Sequence, residues 1–524
     1  MAKKIIVVAS LVLMLVVIKQ GYIQKDTSIS IHINEVASAN GSNFQDEDGD
    51  YVDWIELYND DEKTVSLKGF GLSDQKELPK LWVFPNVEIP PKSYLLVCAS
   101  GKNRTDENRE LHTNFKLSST GENVYLSDAN GHLISNVKVE RIGFNKSFGC
   151  VETTKEYAEL SVPTPGVQNS GKIEMRTRKT NELEFSYSAG YYDETIYLEL
   201  FAEEKDVKIY YTLDGNLPDS TSNLYMGEEI EISNRTPEEN DYTDEWCTPV
   251  DFWPGDGNAY GQKEQYKATV VKARMYFEDD NCWSEKIWTN TYLIAANYTM
   301  PIVSISMPDE FLFDEQTGIY VPGKEFEKYM AYTEEVPSDA RLWSGNYSKD
   351  TKVLGYLEYF ENGIKVMEND VILRISGAAS RGNAQKSLSV YAWDNYGEKM
   401  FRYPVFGEEY GDTFASLRLR AFGNDWRRSM FRDALSQKLV EDLSLGTQAY
   451  QPCILLINGE YFGVYEIREN RDEKFFEKYF DIRDKNLVKT ELFGLTRENA
   501  DVYGNEFLDI IDFADQNDLS LYEN

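Results

Sequence analysis

Apolar and polar residues alternate in short runs through the first third of the chain. Ile31-His-Ile-Asn-Glu-Val36 and Asp53-Trp-Ile-Glu-Leu-Tyr58 alternate, Ser93-Tyr-Leu-Leu-Val-Cys98 is a short apolar run, and Asn123-Val-Tyr-Leu126 leads into the turn-forming Ser127-Asp-Ala-Asn-Gly131. Period two, broken every few residues by turn formers, predicts an all-β sandwich over residues 25–170. The pattern resumes after a charged connector near Lys172–Lys179. Val207-Lys-Ile-Tyr-Tyr-Thr-Leu-Asp-Gly215 predicts a strand ending in an Asp-Gly turn, and Thr269-Val-Val-Lys-Ala-Arg-Met-Tyr276 predicts another, within a second β module over 180–297. From residue 298 the pattern mixes. Val371–Ile375 and Ser387–Tyr391 read as strands joined by the small residues of Ala378–Gln385. Phe431, Leu435, Leu439 and Leu443 recur at helical spacing, predicting a helix that packs on a core, with Ser429 as a candidate N-cap. Cys453–Ile457 and Tyr461–Ile467 flank Asn458-Gly459, a type I′ hairpin signal.

Charge narrows the function classes. The net charge of −35 opposes a nucleic-acid-binding face, which needs clustered Lys and Arg. Against that background Val371–Val390 carries Arg374, Arg381 and Lys386 with no carboxylate, and Ala415–Leu435 holds five arginines against two aspartates. Local positive charge in an acidic protein marks a candidate site for a small anion such as phosphate, with surface ion pairing as the alternative.

At the N-terminus two lysines precede an apolar run from Ile5 to Ile18. Residues 1–24 therefore read as a secretory signal or membrane anchor, with export of the rest and membrane contact only through this segment. Cys98, Cys150, Cys247, Cys282 and Cys453 include no CxxC spacing, which argues against zinc. Pairing of Cys98 with Cys150 and of Cys247 with Cys282 stays open beside buried free thiols, and Cys453 reads as core. No histidine follows His132, so the last segment cannot build a Ser-His-Asp or Cys-His centre. Asp46, Asp48 and Asp50 alternate beside Gly49 as calcium loops do, but without an EF-hand frame; a solvated acidic turn is the default and calcium the candidate.

Three resemblances follow from motifs. Asn34-Glu-Val36, Asp48-Gly-Asp-Tyr-Val-Asp-Trp-Ile-Glu-Leu-Tyr-Asn59, Gly69-Phe-Gly-Leu-Ser-Asp74 and Pro163-Thr-Pro-Gly-Val-Gln-Asn169 resemble the lamin-tail domain, which implies an immunoglobulin-like sandwich without a catalytic centre. Tyr210-Tyr-Thr-Leu-Asp-Gly-Asn216 with Pro218, Ser222 and Tyr225 resembles the fibronectin-III-like C-terminal module of chitobiases. It departs from that family by an acidic insertion over 236–266, whose Trp246 and Trp253 read first as packing residues and second as sugar-stacking ones. Gly377 with Arg381-Gly-Asn-Ala-Gln-Lys-Ser387, then Leu417–Trp426, Phe431–Leu435 and Asn458–Glu469, resemble the spore-coat protein H (CotH) kinase family.

The fold class expected is thus multidomain: two immunoglobulin-like sandwich modules followed over 298–524 by an α+β atypical protein-kinase-like domain. The resemblance implies ATP-dependent phosphorylation of Ser residues on surface or coat proteins, with ATP and Mg or Mn as cofactors. It points to Arg381, Lys386, Arg432 and Glu469 as nucleotide-binding residues. Lys386 opens a strand, as the phosphate-contacting lysine of kinases does; Arg432 pairs an anion or an aspartate; Glu469 lines the pocket or pairs with Arg468 or Arg471. The family's downstream catalytic and metal-binding Asp motifs are not found before Asn524, so the chain reads as C-terminally incomplete and catalytically incompetent as it stands. The competing class is a non-catalytic surface scaffold or adhesion protein that binds glycan or protein through its β modules.

Overall fold

The structure, a computed structural model, describes residues 30–119, 121–139, 142–151, 154–169, 177–180, 182–248, 264–332, 344–393, 399–426, 428–443, 446–482, 490–491, 495–496 and 512–517. The apolar N-terminal run, Trp253 and most of the stretch after residue 496 lie outside these residues. Among the described residues no helix is long and apolar enough to cross a membrane. The chain divides into two compact units, Met1–Ile173 and Glu174–Asn524.

The first unit is a sandwich. One sheet orders Glu156–Leu160, Ser147–Val151, Ile31–Ala37, Trp54–Asn59 and Tyr94–Cys98; the other orders Trp82–Val83, Gly71–Ser73, Glu122–Ser127 and Leu133–Val139. Ile33, Ile55, Leu57, Leu72, Val97, Val124 and Leu126, all fully buried, fill the space between them. Alternation breaks at a register shift between Ile33 and Glu35, so Asn34 and Glu35 are both buried. These polar residues clamp the end of the unit. Glu35 accepts from Ser147, from the Thr164 amide at 3.0 Å and from Thr164 Oγ1 at 2.8 Å. Glu56 accepts from Asn34 Nδ2 at 2.8 Å and from the Gly166 amide, while Asn169 Nδ2 donates to the Asn34 and Cys150 carbonyls. Asn34, Glu35, Glu56, Thr164, Gly166 and Asn169, from three of the four motifs that carry the lamin-tail resemblance, therefore form one hydrogen-bonded knot.

The second unit joins the 180–297 module and the following region into one body. Seven strands close into a ring: Ile364–Ser376, Val353–Glu361, Ile302–Ser306, Tyr450–Ile457, Glu460–Glu469, Ser416–Arg420 and Ser387–Trp393, the last pairing back to the first. Closure needs the length of Ile364–Ser376, whose thirteen residues pair with neighbours on both edges. Leu373, Ile375, Leu388, Val390, Leu417, Leu419, Leu455, Tyr465 and Ile467 point inward as the core. On the outer wall Ile302, Phe360, Ile454 and Leu456 pack against Ala268 and Leu293 of the preceding module. Gly190–Tyr192 of that module also pairs with Ile364–Ser376, so the sheet runs through the boundary expected at residue 297.

The open question about the cysteines closes, since all five are free thiols, and two expectations change. Phe431, Leu435, Leu439 and Leu443 are exposed (47–76 %) rather than core, because the Arg432–Leu439 helix seats Ala434 inward and is tied by polar contacts from Asp433 and Gln437. Its first amide is capped by Asp425 Oδ2 at 3.1 Å; Ser429 instead donates to Asp425.

Candidate functional site

The stretch Gly377–Lys386 lies where the strand Ile364–Ser376 turns back toward Ser387–Trp393. Gly377 (φ +117°) permits the turn, and Ala379–Gly382 forms a single 3-10 turn. Lys386 follows it with the inward parity of Leu388, so its side chain enters the mouth of the barrel. Its ammonium is fully buried and donates to the carbonyls of Cys247 (2.8 Å), Arg381 (2.8 Å) and Asn383 (2.7 Å). Tyr347 and Tyr320 place ring centres 4.1 and 5.3 Å from Nζ. Burial pushes the Lys386 ammonium down to about 7.

Cys247 comes from the acidic insertion of the preceding module. Thr248 Oγ1 donates to the Gly382 carbonyl, and the Cys247 thiol sits 3.5 Å from the Ala384 carbonyl. Trp246, half exposed, meets Phe326 edge-on at 5.6 Å. At the hairpin Asn458-Gly459, where both residues have positive φ as a type I′ turn requires, buried Glu460 receives the amides of Asp241 (2.9 Å) and Thr243 (2.8 Å) and the Thr243 hydroxyl. The insertion is thus part of the barrel's wall.

The other expected residues lie elsewhere around this rim. Arg381 bonds the carbonyls of Gly377, Ser348 and Lys349 and pairs with Asp350 at 2.7 Å. Lys386 and Arg381 therefore share one loop, held by carbonyls. Arg432, 60 % exposed, pairs with Asp425 at 3.3 Å. Glu469 pairs with Lys478 (3.4 Å) and accepts from Tyr479 (2.8 Å), not from Arg468 or Arg471; burial raises its pKa. Each of the four is thus held by partners of its own, and only Lys386 and Arg381 contact each other's loop.

What the structure does gather is a set of strand arginines, drawn from the two arginine-rich stretches that the sequence marked for an anion and joined by Arg468, which the sequence offered only as a partner for Glu469. Arg374, Arg418, Arg420 and Arg468 have the parity opposite to the core residues, so they line the outer wall. Arg374 stands opposite Ser389, Ser389 opposite Arg418, and Arg418 opposite Arg468, one row across four strands. Arg468, 1 % exposed, pairs with Glu466 (2.9 Å) and with Asp433 (2.8 Å) from the Arg432–Leu439 helix. Arg420 joins the same carboxylates at 3.2 and 3.7 Å. The signal was available: Leu373-Arg-Ile375, Leu417-Arg-Leu-Arg420 and Ile467-Arg468 alternate residue by residue, which puts the arginines of each strand on the face opposite its aliphatic residues.

In the first unit Asp46, Asp48 and Asp50 do converge, on the Lys102 ammonium at 2.6, 2.8 and 2.7 Å. Lys102 supplies there the positive charge that the calcium candidate would have brought, so the acidic turn is ion-paired. Lys102 and Arg104 hold Asp48 down to about 2. His112 lies close to Asp46 and Asp48, and also to Cys98 and Glu110.

A β-sandwich, a second β module and a closed barrel flanked by a strand–helix ion pair define a mostly-β, multi-module protein. Comparison with family models agrees with that layout. Residues 24–141 match the lamin tail domain, 187–237 the chitobiase/beta-hexosaminidase C-terminal domain, and 373–520 the CotH kinase protein family. No curated protein matched the chain.

Proposed function

We propose that this protein is an exported, surface-located, nucleotide-binding protein of the CotH type, whose family activity is phosphorylation of Ser residues of surface or coat proteins by ATP with Mg or Mn. The carrying observation is the pairing of buried Arg468 with the half-exposed Asp433 inside the matched segment. A strand cation locked to a helix carboxylate is how kinases align the strand that meets the nucleotide phosphates. Here Arg468 stands on the barrel's outer wall and Asp433 on the helix beside it, with Glu466 and Arg420 completing the group. The guanidiniums suit phosphate oxygens, being planar donors that stay charged. The metal would neutralise phosphate charge; within Glu174–Asn524 the described residues hold no three-ligand group for it, so no step is assigned to it.

Calorimetric titration of the full chain with ATP, with and without Mg²⁺ or Mn²⁺, tests the reading. Binding that Asp433→Asn weakens supports it, and absence of nucleotide binding under every condition refutes it. Transfer of labelled phosphate to the chain itself or to a Ser-containing surface protein tests the chemistry.

A second reading, glycan binding by the chitobiase-like module, has one observation in its favour. An open cleft of about 690 Å³ there is lined by Asp214, Asn216, Asn223, Glu231, Ser233 and Arg235. These are hydrogen-bonding side chains suited to sugar hydroxyls. Retention on immobilised saccharides, abolished by Glu231→Ala with ATP binding unchanged, would favour it.

A further inference from the structure

We propose that the phosphate chain of the donor is gripped by the guanidinium row Arg374–Arg418–Arg468 on the outer wall of the barrel, and that Lys386 takes no part in phosphate contact. The proposal rests on the reading above for the identity of the ligand and departs from it in which residues hold that ligand.

Unmet hydrogen-bonding capacity carries the argument. Buried polar groups are nearly always satisfied, and each exception asks for a partner. Among the described residues Arg374 Nε, Ser376 Oγ, Ser389 Oγ, Arg418 Nε and Arg468 Nη1 are buried without a hydrogen-bond partner. They belong to consecutive strands in register, and Ser376, Ser389 and Arg468 are no more than 2 % exposed. Five orphaned groups in one patch, each able to donate, are the complement of an anion rich in acceptor oxygens.

Charge points the same way. Around the row stand Arg374, Arg381, Arg418, Arg420 and Arg468, against Asp350, Asp433 and Glu466. Five cations less three carboxylates leaves two positive charges, in a chain whose net charge is −35. Arg418 makes no ion pair among the described residues, and Arg374, Arg420 and Arg381 crowd it, so burial and like charge lower its pKa. With strands about 4.8 Å apart, Arg374 and Arg468 are separated by roughly 14 Å, a span for a chain of phosphates rather than a single one. Lys386, by contrast, already spends its three N–H donors on carbonyls and faces the barrel interior.

The test is calorimetric titration of the full chain with inorganic tripolyphosphate and, separately, with ATP. Arg418→Gln should weaken tripolyphosphate binding at least tenfold, and Arg418→Lys should recover part of it by restoring charge without the fork. Because Arg418 is unpaired, Arg418→Gln should leave the thermal midpoint of the unliganded protein unchanged or raise it, so lost binding cannot be misread as unfolding. Tripolyphosphate should raise the midpoint of the wild type and not of the variant. Equal affinity in the wild type and Arg418→Gln, or no binding of tripolyphosphate by the wild type, overturns the row. Tripolyphosphate binding that Arg418→Gln abolishes, with ATP bound no better and no phosphate transferred, upholds the row and refutes the kinase reading.

Discussion

Glu56 should make the stability of the first unit fall as pH rises from acid to neutral. Its carboxylate is fully buried, and burial pushes its pKa from 4.5 up to about 7, against the pull of the Gly166 and Asn34 hydrogen bonds and with a further push from Glu35. A carboxyl with a raised folded-state pKa takes up a proton on folding, so its contribution is fully present below pH 4.5 and is lost as pH passes through 7. The interval of 2.5 units corresponds to about 3 kcal/mol, an upper bound because the closing segment can relax. Glu35, also raised by burial, adds in the same direction. The assay is hydrogen exchange by mass spectrometry on the full chain, following the peptide that contains Thr164 and Gly166, whose amides both donate to these carboxylates. After correction for intrinsic exchange rates, protection should decline between pH 4.5 and 7.5 in the wild type. Glu56→Gln should flatten most of that decline and cost about 1 kcal/mol at pH 4.5, since an amide offers one acceptor where the carboxyl meets two donors. A flat wild-type profile, or an unchanged slope in Glu56→Gln, would refute the reasoning.

Glu460→Ala should destabilise the second unit by about 2 kcal/mol, because it orphans the buried Thr243 amide and hydroxyl and frees the Asp241 amide, and should open residues 236–248 to limited proteolysis. Lys102→Met should destabilise the first unit by about 2 kcal/mol, because Asp46, fully buried, and Asp50 lose their cation while Asp48 keeps Arg104 and Arg109. Millimolar calcium should then raise the melting temperature of that variant and leave the wild type unmoved. Asp433→Asn should cost about 1 kcal/mol in denaturant titration, since Glu466 still pairs the buried Arg468.

Much of the fold could be read from local pattern. Strand alternation, the Asn-Gly hairpin and the lamin-tail and CotH motifs are properties of consecutive residues, and the structure builds the strands and that hairpin where they were expected. The amphipathic Phe431–Leu443 spacing misled because periodicity names an apolar face but not what covers it. Lys386 shows a different limit of local pattern. Its place at the start of a strand is visible in sequence, but which wall of that strand it faces depends on Leu388 and Val390 turning inward, and its partner Cys247 lies 139 residues away.

From the sequence alone came the three modules, the excess of carboxylates and the arginine-rich strands within an acidic chain. Only the closed barrel decided that Arg374, Arg418 and Arg468 stand in one row, that the insertion walls off Lys386, and that two expected modules share one sheet. The physical reason is register. Period-two alternation records which residues share a face of their own strand, while the pairing of distant strands sets which of those faces meet.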